Sequence, residues 1–291
     1  MFEKLDPEII ERPSKDFPIQ LYDLKECPNK LYVIGNKKLL ENFSIAIVGA
    51  RDCSDKSEET ARKISYDLSK NGVQIVSGLA RGIDRVAHEA CLEAGGKTIA
   101  VLGGGFNNLY PKENIKLLYN ILEKNGLIIT EYAPNIPCFK QNFIARNRII
   151  AALSQGIIII EAKEKSGSLI TARYGFKMNR KIFSCPGDMM DSRYSGSNKL
   201  LTDYAKCALS YEDIIKAYPD LEISPKKIKK NAVDSINIPR EYLNIYNKLA
   251  DEGKSIDELK RILNISIGEL NSKLTLMEID RICKKGTWKI F

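Results

Sequence analysis

Glycines punctuate the middle of this chain in a pattern suited to close contact with phosphate. Gly49 follows the run Ser44 to Val48, Gly78 and Gly82 follow Val73 to Ser77, Gly103, Gly104 and Gly105 follow Lys97 to Leu102, and Gly187 follows Lys181 to Ser184. At the carboxyl ends of strands in an open parallel sheet, glycine lets backbone N–H groups approach phosphate at helix N-termini. Glycine also ends strands and starts turns with no ligand involved, but several converging on one rim favour the ligand. Arginines accompany them: Arg51 in Gly49-Ala50-Arg51, Arg81 between Ser77-Gly78 and Gly82-Ile83-Asp84, and Arg146 with Arg148 in Phe143-Ile144-Ala145-Arg146-Asn147-Arg148. A planar guanidinium matches phosphate, and Asn147 offers an amide to a base or sugar. For any one of these arginines the rival role is a surface ion pair with Asp52, Asp84 or Glu161.

Several chemistries are excluded by the same residues. The first turn reads Gly49-Ala50-Arg51-Asp52-Cys53-Ser54, and the next strand leads into Ser77-Gly78 rather than an acidic residue, so the dinucleotide fingerprint fails. No Walker-type phosphate loop occurs. The single histidine, His88, follows Gly82-Ile83-Asp84 with no serine or cysteine nucleophile motif beside it, and reads as a packing residue. Seven cysteines form no C-x-x-C pair and are odd in number, so neither a zinc site nor a disulfide framework is expected and a reducing cytoplasm fits. No catalytic residue, metal or cofactor is therefore expected.

The elements that must position these residues alternate short β-branched runs with longer amphipathic ones. Candidate strands are 44–48, 73–77, 97–102, 127–130, 156–161 and 181–184, and candidate helices are 56–71, 83–94, 113–125, 142–154 and 168–178. Near-continuous apolar strands alternating with helices predict a Rossmann-like, doubly wound, mostly parallel α/β sheet. The chain has 291 residues, of which 44% are apolar, enough for one large or two modest packed domains. Its net charge of +8 divides into −1 over residues 1–43, +6 over 44–218 and +3 over 219–291, an excess compatible with a nucleic-acid partner. Wholly apolar runs such as Gly156 to Ile160 are far short of the roughly 20 residues of a membrane-spanning helix, and the acidic start is unlike a signal peptide.

Taken in order, the motifs resemble the DNA-processing protein A (DprA/Smf) family. They are Phe17-Pro18, Leu31-Tyr32-Val33-Ile34-Gly35, Gly49-Ala50-Arg51, Ser77 to Asp84 with Ala87-His88, and Tyr110-Pro111-Lys112-Glu113-Asn114. Further along come Phe143 to Ser154, Glu161-Ala162, Ser166-Gly167-Ser168-Leu169-Ile170-Thr171-Ala172 and Cys185-Pro186-Gly187. The resemblance implies an extended Rossmann domain that binds single-stranded DNA, forms a homodimer and helps load the RecA recombinase during natural transformation. The DNA-binding residues expected on that basis are Gly49, Arg51, Ser77, Gly78, Arg81, Gly82 and Gly103, then Gly105, Lys140, Phe143, Arg146, Asn147, Ser166 and Gly167. Phe143 would stack on a base. With Phe17-Pro18 this close to the start, the helical N-terminal domain of many members is not expected.

The expected organisation is an N-terminal extension over 1–43, the Rossmann domain over 44–220, a basic linker over 221–240 and a winged-helix-like domain over 241–291. Lys226-Lys227-Ile228-Lys229-Lys230 marks the linker, since proline, asparagine and clustered lysines resist packing. Ser255-x-x-Glu258 and Ser266-x-x-Glu269 are capping boxes opening two helices, and Lys284 to Lys289 suits a wing. The helix from Ser266 to Asp280 holds one basic residue, Lys273, against Glu269, Glu278 and Asp280, which argues against duplex binding by it. The alternative function is a nucleotide-processing enzyme resembling the nucleoside monophosphate hydrolases. Their Pro-Gly-Gly loop is only partly matched by Cys185-Pro186-Gly187-Asp188, which lacks the second glycine.

Overall fold

The computed structural model describes residues 5–221, 242, 245, 249, 255–263, 265–279, 283–284 and 289–290. They fall in two units, one within Met1–Lys226 and one within Lys227–Phe291. The linker expected over 221–240 lies, beyond Leu221, outside the described residues.

The first unit is a nine-stranded sheet. Its strands are β1 (Glu8–Glu11), β2 (Lys30–Gly35), β3 (Ser44–Val48), β4 (Gln74–Ser77), β5 (Thr98–Val101), β6 (Leu127–Thr130), β7 (Gly156–Ile159), β8 (Lys181–Ser184) and β9 (Lys206–Cys207). Their order across the sheet is β1-β2-β6-β5-β4-β3-β7-β8-β9. All pairings from β6 through β9 are parallel. The chain builds outward from β3 to β6 on one side, then returns to place β7, β8 and β9 on the other. A topological switch point therefore lies between β3 and β7, where an open parallel sheet parts its loops to admit a ligand.

Helices cover both faces, as expected. The helices α1 (Asp55–Lys70), α2 (Ile83–Glu93), α3 (Ile115–Glu123) and α7 (Tyr211–Ile215) bury their apolar sides on one face. On the other lie α4 (Lys140–Ala152), α5 (Gly167–Lys177) and α6 (Ser195–Asp203). In α1, Ser54 caps the first turn by accepting from Ser57 N–H, and Ala61, Ile64 and Leu68 recur at helical spacing on the buried side.

The N-terminal stretch differs from the sequence expectation. Residues set apart as an extension supply β1 and β2, with β2 antiparallel to β6 through Tyr32↔Thr130 and Val33↔Ile129. Leu21, Leu31, Leu39 and Leu40 enter the same core as Val48, Val101 and Ile159. Among the long-range contacts that fasten the segment, Gln74 Nε2 donates to Leu39 O at 3.0 Å, and Arg148 Nε donates to Glu26 O at 3.2 Å. The β2–β6 pairing joins segments nearly a hundred positions apart, so no local periodicity announces it. The sequence reading also left α6, α7 and β9 unassigned, three short elements that close the far side of the sheet.

The second unit contains α8 (Ile256–Leu263), α9 (Ile267–Ile279) and an antiparallel pair, β10 (Cys283–Lys284) with β11 (Lys289–Ile290). The first capping box is complete: Ser255 N–H donates to Glu258 Oε2 at 2.7 Å, and Glu258 N–H donates to Ser255 Oγ at 3.3 Å. The second is half made, because Glu269 pairs instead with Lys273 at 2.7 Å. Tyr242, Ile245 and Leu249, at helical spacing, are buried with Leu259, Leu270, Leu274 and Met277. The interior of the expected wing, 285–288, lies outside the described residues. Among the described residues, no helix is long and apolar enough to cross a membrane.

His88 is a core residue of α2, fully buried, with Nδ1 2.7 Å from Thr98 Oγ1. Thr98 Oγ1 donates its own proton to Ile75 O at 2.8 Å, so it accepts from the imidazole and the ring proton sits on Nδ1. Burial, reinforced by the Arg146 charge, lowers the His88 pKa to about 3. The unfolded chain protonates it near pH ~6.5. Between those values the unfolded state binds more protons, so His88 makes stability fall as pH falls. In urea unfolding followed by circular dichroism, the wild-type chain should lose more stability than His88→Gln between about pH 7 and about pH 5. Equal losses would show that His88 is not held neutral.

Candidate nucleic-acid interface

An open cleft of about 550 Å³ sits at the switch point. Its walls come from four places: the Gly49–Asp52 turn after β3, Ala80 and Asp84 after β4, one side of α4, and the Glu161–Thr171 segment from the end of β7 into α5. Of the residues expected to bind, Gly49, Arg51, Lys140, Phe143, Arg146, Asn147, Ser166 and Gly167 all line it. Residues up to 118 positions apart in the chain, Gly49 and Gly167, are thereby brought to one site.

The rim and the floor have opposite characters. At the rim, Arg51, Lys140, Lys163 and Lys165 are exposed cations. Phe143 is half-buried, with the Arg51 guanidinium over its ring at 5.1 Å and Tyr110 at 5.8 Å between centroids. Ser166 caps α5 by accepting from Ser168 N–H at 3.3 Å, and Gly167 beside it faces open space. Asn147 Nδ2 donates to Gly167 O at 3.1 Å, so its amide braces the α4–α5 corner.

Arg146 belongs to the floor. It is 2% exposed, and its Nη1 donates to Gly78 O at 2.6 Å and also to Val101 O, tying the ends of β4 and β5 together. Burial lowers its pKa to about 10, opposed by the Asp84 carboxylate, so it remains a cation at neutral pH. Asp84 accepts from the N–H groups of Gly78 at 3.1 Å and Ala80 at 3.4 Å. Burial pushes the Asp84 carboxyl up, while Arg146 and those N–H groups pull it down. The other buried carboxylate of the cleft, Glu161, is 1% exposed and accepts from both Ser54 N–H at 3.0 Å and Ser54 Oγ at 2.7 Å.

The remaining expected residues stand outside the cleft lining, Arg81 in a surface ion pair and the others in packed positions. Ser77 is fully buried, its Oγ donating to Ile47 O at 2.7 Å. Gly78 lies against Arg146, with no room for a side chain between them. Arg81 is exposed and ion-paired with Glu113. Gly82 has φ +66°, a conformation glycine adopts freely, and abuts the Ala50 carbonyl. At Gly103 a Cβ would fall 2.7 Å from Phe143 Cδ1, so this glycine seats the ring. Gly105 is packed against the carbonyls of Ala133 and Pro134. Arg148 forms a two-pronged pair with Glu131, at 2.7 and 2.6 Å. Conversely, Lys163 and Lys165 escaped the sequence reading, although a loop bearing two lysines directly before Ser166-Gly167 was visible there.

Beyond Glu161 lies a second cleft of about 690 Å³, bordered by Ser54, Ser57, Gly187, Arg193 and Tyr194. Tyr194 OH closes its wall, 2.8 Å from Ser54 Oγ and 2.9 Å from Ser57 Oγ. Gly187 N–H, a candidate phosphate donor, is taken by Asn198 Oδ1 at 3.0 Å. Among the described residues no cluster of three or more His, Cys, Asp or Glu is placed to hold a metal ion.

Sheet order and cleft position define an open, doubly wound α/β protein with its ligand cleft at the switch point. The family model for DNA recombination-mediator protein A matches residues 8–219, and the chain belongs to that family. The chain is 37% identical to protein Smf of Escherichia coli over 214 residues, covering 74% of this chain and 57% of that protein. It is 40% identical to the DNA processing protein DprA of Streptococcus pneumoniae over 202 residues, covering 69% and 71%. Among solved structures, the S. pneumoniae DprA structure superposes with a TM-score of 0.69 at 38% identity, over 74% of this chain and 75% of that one. The Helicobacter pylori DprA structure, described for its single-stranded DNA binding mode, gives a TM-score of 0.66 at 33% identity, over 72% and 94%.

Floor and rim should respond differently to mutation. Arg146→Met strands two buried carbonyls and the Asp84 carboxyl, and should lower the unfolding free energy by about 3 to 5 kcal/mol. Arg51→Ala should change it by less than about 0.5 kcal/mol. Chemical denaturation of both variants checks this, and an Arg146→Met protein as stable as the wild type would remove Arg146 from the floor.

Proposed function

We propose that this chain binds single-stranded DNA in the switch-point cleft and acts as a recombination mediator. The observation that carries the reading is the ring of exposed cations, Arg51, Lys140, Lys163 and Lys165, around the half-buried Phe143. Cations hold the backbone by releasing its counterions, and an aromatic ring takes an unpaired base. A duplex offers phosphates but keeps its bases stacked inward, so single strands should be preferred, with mild preference among bases.

The site residues we assign to DNA are Arg51, Lys140, Phe143, Ser166 and Gly167, with Lys163 and Lys165 added. Gly49, Ser77, Gly78, Gly82, Gly103, Gly105, Arg146 and Asn147 shape the cleft. The reading is non-enzymatic. It is supported by the engagement of the two buried cleft carboxylates, Asp84 with backbone N–H groups and Glu161 with Ser54. Loading of the RecA recombinase, a homodimeric state, a cytoplasmic location and a role in natural transformation complete the proposal, on the strength of family membership. For the second unit we propose a winged helix in an auxiliary or protein-contact role. Its supports are the successive helices α8 and α9 followed by the β10–β11 pair, and a helix whose one lysine, Lys273, is already bound to Glu269.

Filter binding of single-stranded and duplex oligonucleotides over a range of salt tests this directly. The wild-type chain should retain single strands more tightly, without turnover. Arg51→Ala and Lys140→Ala should each flatten the slope of log affinity against log salt by about 0.7, the effect of one lost phosphate contact on a single strand. Equal affinity for duplex, or release of free base from nucleoside monophosphates, would overturn the reading.

A further inference from the structure

Phe143 is not a bare platform. Its ring rests on Gly103, leans on Tyr110 at 5.8 Å, and has two guanidinium groups over it, Arg146 at 5.9 Å and Arg51 at 5.1 Å. Both arginine distances fall within the reach of a cation–π contact, roughly 6 Å. The two cations differ in freedom. Arg146 is buried and fixed by the carbonyls of Gly78 and Val101. Arg51 is exposed, and among the described residues no hydrogen bond or ion pair holds its guanidinium.

The Arg51 backbone, by contrast, is anchored. Ile83 N–H donates to the neighbouring Ala50 O at 3.2 Å, and Gly82 packs against the carbonyls of Ala50 and Arg51. The side chain thus extends from a fixed origin to the ring at the edge of the open cleft. The Arg146 charge repels the Arg51 guanidinium, and the buried Asp84 carboxylate attracts both.

We propose that Arg51 is a gate on base recognition: in the empty cleft its guanidinium occupies the Phe143 ring, and an incoming base must displace it, freeing it for a phosphate of the same strand. A ligand gains fully only when it brings an unstacked base and a backbone phosphate together. Phosphate alone leaves the ring covered, and a base alone gains its stacking but leaves the lost cation–π contact without a phosphate to replace it. Arg51 is therefore a specificity-determining residue as well as a phosphate contact. This rests on the assignment of Phe143 as a stacking platform.

The experiment compares the affinity of the full chain for a single-stranded oligonucleotide and for one of equal length whose bases are replaced by abasic sites. The ratio of the two affinities isolates what the bases add, because backbone contacts that form without a base cancel. Arg51→Ala should weaken binding of the base-bearing strand while leaving the abasic strand nearly unchanged, and so lower the ratio by at least about two-fold, the excess of a charged phosphate contact over an exposed cation–π contact. Phe143→Ala should bring the ratio close to one, and adding Arg51→Ala to it should leave the ratio there. An unchanged or higher ratio in Arg51→Ala, with Phe143→Ala still collapsing it, overturns the gate and leaves the platform standing. A ratio indifferent to Phe143→Ala overturns the platform and the gate with it. Thermal melts of each variant establish that the compared proteins are folded.

Discussion

One buried cation organises the floor of the cleft. Arg146 reaches from α4 beneath the rim to the carbonyls of Gly78 and Val101, joining the ends of β4 and β5 and balancing the buried Asp84. Parallel strands end in carbonyls and loops whose backbone groups need partners, and an arginine with five donors supplies them where water is excluded. Gly78 accommodates this guanidinium because it has no side chain to oppose it, and Gly103 does the same for Phe143. The glycines at the strand ends therefore serve the protein's own close packing before they serve any ligand.

On this floor stands a rim with little internal pairing. Arg51, Lys140, Lys163 and Lys165 are exposed around Phe143, while Arg81 and Arg148, of the same residue type and nearby in sequence, are matched to Glu113 and Glu131. Affinity for a flexible polyanion needs cations that are not already spent, held on a surface that does not reorganise. Separation of a paired, buried layer from an unpaired, exposed one meets both demands. It also explains why one arginine beside Phe143 is structural and the other available, although they contact the same ring.

The N-terminal segment contributes stability rather than cleft residues. Its strands extend the parallel sheet by two antiparallel members, and Leu21, Leu31, Leu39 and Leu40 complete the core beneath α4. Arg148, on the buried side of α4, binds Glu131 and the Glu26 carbonyl, so the helix that presents Lys140 and Phe143 is clamped from behind. Positioning of an exposed site depends here on residues far from it, because a helix can aim a side chain only as well as its own seat is fixed.

The parallel sheet and its helices were legible in sequence, since β-branched runs and helical spacing are local consequences of burial on two faces. Strands 44–48, 127–130 and 181–184 agree to the residue, and the others differ by a position or two at their ends. The cleft was legible as well, because strand-end glycines followed by arginines write the switch point into the chain. What the sequence by itself could not decide was which cation is free. Arg51, Arg81, Arg146 and Arg148 look alike in one dimension, but only their three-dimensional neighbours make one a rim cation, two ion-paired and one a buried brace. The β2–β6 pairing escaped for a related reason. Its partners are distant in the chain, so their contact is set by the packing of the whole sheet and leaves no periodic trace in either segment.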